Sequence, residues 1–183
     1  DNEAGGRIAA EHLLKRGARR PALLTSRTGT HNLREKGYRQ VLQQADIEPV
    51  VLTVDFNTPD AERPGLIRER LELVADDVDA VFATDDLTAA QVVEWVEDQG
   101  LRVPEDFKVI GFDGTVAMRR ALPALTTIQQ PIARLARAAV NLLLDQIDSM
   151  ASASSGDRDS ERSEKHLRSP SPMGVRLLPG RTT

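Results

Sequence analysis

Short apolar runs alternate with stretches of helical periodicity along the first 125 residues, and that alternation constrains the fold more than any other feature. The runs are residues 21–25 (PALLT), 50–54 (VVLTV), 80–83 (AVFA) and 107–111 (FKVIG). Each has the length of a strand and none has room for a helix. Between them, residues 4–17 place Ile8, Ala9, His12 and Leu13 at helical spacing, with Gly17 as a stop. Residues 32–45 carry Leu33, Gly37, Val41 and Leu42 on one helical face. Thr58-Pro59-Asp60 opens a third helical stretch over residues 61–75, in which Pro64 fits only the first turn. Asp86 is read as the cap of a fourth, which Gly100 closes. A βαβα order with continuous apolar strands specifies an α/β fold: a parallel sheet flanked by helices on both faces.

The pattern changes after residue 122. Residues 123–128 (PALTTI) read as extended, and Pro131 stands where a helix can begin without its N–H. Residues 131–148 are amphipathic, with Ile132, Leu135, Ala139, Leu142 and Leu143 apolar. Residues 151–172 are rich in Ser, Asp, Glu and Arg and read as a flexible linker, because they have too little apolar surface to bury. Residues 174–178 form a last candidate strand, followed by a polar tail. The absence of cysteine excludes a disulfide scaffold and thiolate chemistry. A formal net charge of -4 argues against a phosphate-binding surface on this chain. No apolar run spans a bilayer, and the acidic start lacks the pattern of a secretory signal, so a cytoplasmic location is expected.

In a doubly wound sheet, ligands sit beyond the carboxyl ends of the strands. That rule selects Thr28, Thr30 and Arg34 after the first strand, Phe56 after the second, Asp85 after the third and Asp113 after the fourth, with Gln130 beside the last extended segment. A guanidinium offers a planar fork of donors for paired hydroxyls or a carboxylate. The aspartates accept from hydroxyls or ring N–H groups, and a phenyl ring stacks on the apolar face of a sugar or base. Each has a structural reading beside it. Arg34 is then solvated or ion-paired, Asp85 only a helix cap, Phe56 core, the threonines turn residues, and Gln130 a brace for the chain crossing. His12 reads as a packed histidine, Trp95 as core or interface, and Asp76, Asp77 and Asp79 as a solvated turn. The three histidines form no zinc motif, and Gly5-Gly6 lacks the strand-then-glycine context of a dinucleotide site. No cofactor is expected.

Several stretches together resemble the LacI/GalR family of transcriptional regulators. They are DNEAGGR leading into AEHLL and Gly17, REKGY at residues 34–38, ATDD at residues 83–86 with Ala89-Ala90, GLRVPED and VIGFD at residues 100–113, and PALTTIQQ at residues 123–130. The resemblance implies two α/β lobes around a ligand cleft and a helix-turn-helix head outside this chain. Residues 1–124 would form the C-terminal lobe, 125–150 the crossover and returning helix of the N-terminal lobe, 151–172 a linker, and 173–183 the final strand and tail. Arg34 and Asp113 match the family's regular ligand contacts and Phe56 its covering aromatic. Asp85 stands where many members have asparagine, which favours a neutral or cationic ligand over an anion. The implied function is binding a small polar effector, a sugar or a purine-like compound, that controls operator binding by a homodimer. The interface would use residues 87–99, with Trp95, and 117–122. Helix 131–148 would pack on a neighbouring chain or be displaced where its lobe is missing. The alternative is a periplasmic sugar-binding protein. An enzymatic reading through Asp85 and Asp113 has no nucleophile elbow, P-loop or metal motif to support it, and no catalysis is expected.

Overall fold

The computed structural model describes residues 1–26, 28–154 and 171–183. The expected linker lies largely outside the described residues. The chain divides into two units, Asp1–Gln130 with Gly174–Thr183, and Pro131–Met173.

The first unit holds α1 (Asn2–Lys15), β1 (Pro21–Thr25), α2 (Thr30–Gln44), β2 (Val50–Thr53), α3 (Arg63–Glu72), β3 (Ala80–Ala83), α4 (Asp86–Asp98), β4 (Lys108–Asp113), α5 (Val116–Ala121) and β5 (Thr126–Gln129), and ends with β6 (Arg176–Leu178). The strands form one sheet in the order β2-β1-β3-β4-β5-β6, parallel except for the antiparallel β6. Period-two alternation divides the strand side chains between the sheet's two faces. On one face Leu23, Phe82, Ile110 and Phe112 pack with α1 (Ala9, Leu13) and α2 (Tyr38, Leu42). On the other, Leu24, Val81 and Val109 pack with α3 (Ile67, Leu71) and α4 (Val92, Val96). Continuous apolar strands thus arise because each strand feeds two cores.

Helices α1 and α2 meet backbone to backbone. A Cβ added at Gly6 would lie 2.0 Å from the Arg34 carbonyl oxygen, and one at Gly37 would lie 2.0 Å from that of Glu3. Only glycine permits this reciprocal approach, and it sets the axial position of the Arg34 turn. Trp95 is 2% exposed and meets Phe107 edge-on, so it belongs to the core and not to an interface surface.

Three further details differ from the sequence reading. The helix cap after β3 is Asp85, whose extended backbone lets its carboxylate accept from the Thr88 N–H. Asp86 is the first helical residue and is buried. The short α5, capped by Thr115, falls in a stretch for which no helix was expected. The tail is not a free polar segment: Thr182 accepts from the Thr126 N–H and donates to the Val109 carbonyl, while Thr183 bonds His12 and Thr126.

In the second unit, α6 (Ile132–Ser154) extends the expected amphipathic helix beyond residue 148. Its apolar side chains, among them Ile132, Leu135 and Leu143, are exposed.

Candidate ligand-binding site

From β1 the chain moves outward to β2, then returns to β3 on the other side of β1. The loops leaving β1 and β3 therefore diverge, and a crevice opens at their carboxyl ends. Ser26 follows β1, Thr84 and Asp85 follow β3, Asp113 ends β4, and α2 brings His31 and Arg34 to the same edge. A narrow cleft there is lined by Ser26, Val54, Arg63, Thr84, Asp85 and Thr88.

Arg34 organises the edge. It is 4% exposed, with its guanidinium carbon 3.7 Å from the centre of the Phe112 ring. Nε donates to the Asn2 side-chain oxygen at 3.0 Å, one terminal nitrogen donates to the Thr84 carbonyl, and the other stands 3.7 Å from Asp113 Oδ1. A guanidinium has five N–H donors, so part of the fork is left for another acceptor. Burial lowers the Arg34 pKa, while Asp113, Asp85 and Asp86 act in the opposite direction.

Asp113 sits at φ 110°, in the left-handed region, and Gly114 follows at φ 57°. This turn aims the Asp113 carboxylate back toward α2 and β5. Gln130 clasps it twice: Nε2 donates to Oδ1 at 2.6 Å, and the Gln130 N–H donates to the Asp113 carbonyl at 3.0 Å. Burial raises the Asp113 pKa, opposed by the Gln130 hydrogen bond and the Arg34 charge. With its side chain 31% exposed, Asp113 is the member of the pair that meets solvent.

Behind the crevice, Asp86 Oδ2 accepts from the Gly114 N–H at 2.8 Å and Oδ1 accepts from the Thr127 hydroxyl at 2.5 Å. Gly111 leaves the room for this carboxylate, since a Cβ there would lie 2.5 Å from Asp86 Oδ1. Burial pushes the Asp86 pKa up to about 6, with Asp113 and Asp85 adding to the rise against the two hydrogen bonds. His31 Nδ1 lies 2.7 Å from the Ser26 hydroxyl and 3.1 Å from that of Thr84. Burial first, then the Arg34 charge, lowers the His31 pKa, which favours its neutral form.

Of the residues selected from sequence, Arg34, Asp113 and Gln130 form one connected network. Asp85 lies close enough to act electrostatically on Arg34 and His31, but both its oxygens already accept from Thr88. Thr28 and Thr30 are exposed where α2 begins, and Thr28 supplies its carbonyl to the His31 N–H. Phe56 is 60% exposed in the loop after β2, so it is not core, and its carbonyl accepts from Arg63. Sequence reasoning passed over Asn2, Ser26, His31 and Thr84. His31 precedes Arg34 by one helical turn, a spacing that identifies it as a neighbour. Asn2 carries no such signal. Among the described residues there is no group of three or more His, Cys, Asp or Glu placed to hold a metal, and no helix long and apolar enough to cross a membrane.

Switch-point crevice, parallel sheet and antiparallel closing strand define a domain of the periplasmic-binding-protein kind. The model of the periplasmic binding protein-like domain family matches residues 10–174, and the chain belongs to that family, in the form carried by LacI-type regulators. The ribose operon repressor of Halalkalibacterium halodurans is 32% identical over 149 residues, 80% of this chain and 44% of the repressor. The transcriptional regulator CelR of Thermobifida fusca is 35% identical over 153 residues, 80% of this chain and 44% of CelR. The chain thus spans less than half the length of these curated relatives. A LacI-family regulator of Enterococcus faecium solved with bound ribose superposes with a TM-score of 0.77 at 27% identity, covering 100% of this chain and 63% of that one. These relatives are transcriptional regulators.

Proposed function

We propose that this chain is the effector-binding portion of a LacI-type transcriptional regulator and that its effector is a neutral sugar held by Arg34 and Asp113. One observation carries the reading: a buried guanidinium and a half-exposed carboxylate, 3.7 Å apart, face each other at the switch-point crevice. A donor fork beside an acceptor suits adjacent sugar hydroxyls, each of which donates and accepts. Three carboxylates (Asp85, Asp86 and Asp113) act on Arg34 and outnumber it together with the Arg63 cation that lines the cleft, which disfavours an anionic ligand. The regulator solved with ribose, and the Alkaliphilus metalliredigens protein of the same kind solved with D-xylulofuranose at 26% identity and a TM-score of 0.79, support a sugar over a purine. Thr28, Thr30, Phe56 and Asp85 form the rim and Gln130 fixes Asp113. Residues 1–124 act as one lobe, and residues 125–150 cross to and return through the other, where α6 buries its apolar face.

Effector binding acts through differential affinity for two lobe arrangements, which changes how a helix-turn-helix head of a cytoplasmic homodimer meets its operator. The transport-protein alternative is not favoured, because the curated relatives are regulators.

Calorimetric titration with D-ribose, D-xylulose, cellobiose and hypoxanthine tests the reading. A sugar binds saturably, and Arg34→Ala weakens it by about 10- to 100-fold, the worth of a charge-assisted hydrogen bond. Binding of hypoxanthine alone, or sugar binding unchanged in a folded Arg34→Ala protein, contradicts it.

A further inference from the structure

Asp86 lies outside the ligand-facing set, yet its buried carboxylate bridges the Asp113–Gly114 turn and β5, accepting from the Gly114 N–H and from the Thr127 hydroxyl, beside the direct bond from Gln129 of β5 to the Gly114 carbonyl. We infer that Asp86 is a positioning residue for the proposed site, holding Asp113 in its left-handed conformation through the Gly114 N–H while Thr127 anchors the same carboxylate to β5. The inference rests on the functional reading above, since the group being positioned is Asp113.

Three observations converge. An aspartate at φ 110° is strained backbone that persists only where its surroundings fix it. The next N–H is donated to a buried carboxylate at 2.8 Å. The sheet beneath is cut away for that carboxylate, because any side chain at Gly111 would occupy the place of Oδ1. Thr127 lies on β5 two residues before Gln129, whose Nε2 donates to the Gly114 carbonyl, and three before Gln130, which clasps Asp113. Asp86 therefore sits where the turn and the strand leading out of this unit are pinned together. The charged groups facing it are Asp113 at the end of β4, Asp85 on its own helix and Arg34 on α2. Burial first, and then the Asp113 and Asp85 charges, push the Asp86 pKa up to about 6, so the strength of the pin varies with pH.

Asp86→Ala removes both acceptors. Asp86→Asn keeps an oxygen for the Gly114 N–H and offers its amide to the Thr127 oxygen, with no charge. Backbone and side-chain amide NMR of the 183-residue chain reads the pin without ligand, through the Gly114 N–H and the Gln130 side-chain NH₂. Both signals move in Asp86→Ala, and Asp86→Asn restores the Gln130 signal. In the unmodified chain the Gly114 signal carries a titration between about pH 5 and about pH 7 that Asp86→Asn removes, leaving only the response to the adjacent Asp113. D-ribose affinity, measured in parallel, falls about tenfold in Asp86→Ala and returns to within about threefold in Asp86→Asn. Gly114 and Gln130 signals unmoved in Asp86→Ala, or equal D-ribose affinity in Asp86→Ala and the unmodified chain, overturn the inference. If Asp86→Ala does not fold, an Asp86→Asn chain whose Gly114 titration is the same as in the unmodified chain overturns it. Should the NMR changes occur while D-ribose and the other sugars fail to bind the unmodified chain, the functional reading fails and the pin stands.

Discussion

The buried Asp86 carboxylate carries a desolvation cost, and that cost has a definite pH dependence. Burial pushes the Asp86 pKa up to about 6 from an ordinary 3.8. The folded state therefore holds this proton more tightly than the unfolded state does. Stability contributed by Asp86 is complete below the unfolded pKa and declines as pH rises through about 4 to about 6. Asparagine does not titrate, so the melting temperature of the unmodified chain falls relative to Asp86→Asn between pH 4 and pH 7. A constant gap across that range in thermal denaturation contradicts the assignment. Its neighbour behaves differently: Asp85→Ala loses an N-cap and costs about 1 kcal/mol in urea unfolding, whereas Asp85→Asn costs little. The exchange of roles between these aspartates was not legible in the sequence. Which of two adjacent aspartates caps a helix depends on which has extended backbone, here Asp85 at φ -151° and ψ 161°. Arg34 and Asp113 were legible, because each follows a strand that is recognisable by itself. Ser26, His31 and Thr84 were not, since their network depends on the loops after β1 and β3 arriving together.

At the level of elements, strands buried on both faces write themselves as unbroken apolar runs, and β1 and β3 fall where those runs are. The six-residue α5 is too short to show a period. The burial of the polar tail was not legible, because it is achieved by threonine hydroxyls bonding backbone and each other. Gly5-Gly6 and Gly37 were visible in the helical stretches, but not that Gly6 and Gly37 face each other's helix backbone. Either glycine replaced by alanine places a methyl against a carbonyl that cannot swing aside, and overpacking of this kind costs about 1–3 kcal/mol. Because the carbonyl struck by a Gly6 side chain belongs to Arg34, Gly6→Ala also weakens D-ribose binding. Gly65→Ala in α3 meets nothing within 4 Å and gains about 1 kcal/mol from helix propensity. Chemical denaturation of the three variants checks both signs.

For the whole molecule, the exposed apolar face of α6 is the feature most in need of a partner. Ile132, Leu135 and Leu143 are 48%, 39% and 56% exposed, and apolar surface of that extent is unfavourable in water. In the regulator proposed here the face is covered by the other lobe. The 183-residue chain alone covers it with a second copy, so sedimentation shows concentration-dependent association that Leu135→Glu with Leu142→Glu removes. A monomer at every concentration contradicts that expectation. The central claim concerns the crevice itself, and a crystal structure of the chain grown with D-ribose tests it most directly. A sugar is expected at the carboxyl ends of β1, β3 and β4, with ring hydroxyls within hydrogen-bond distance of both the Arg34 guanidinium and the Asp113 carboxylate. Ribose seated elsewhere, or seated there without touching Arg34 or Asp113, would contradict it.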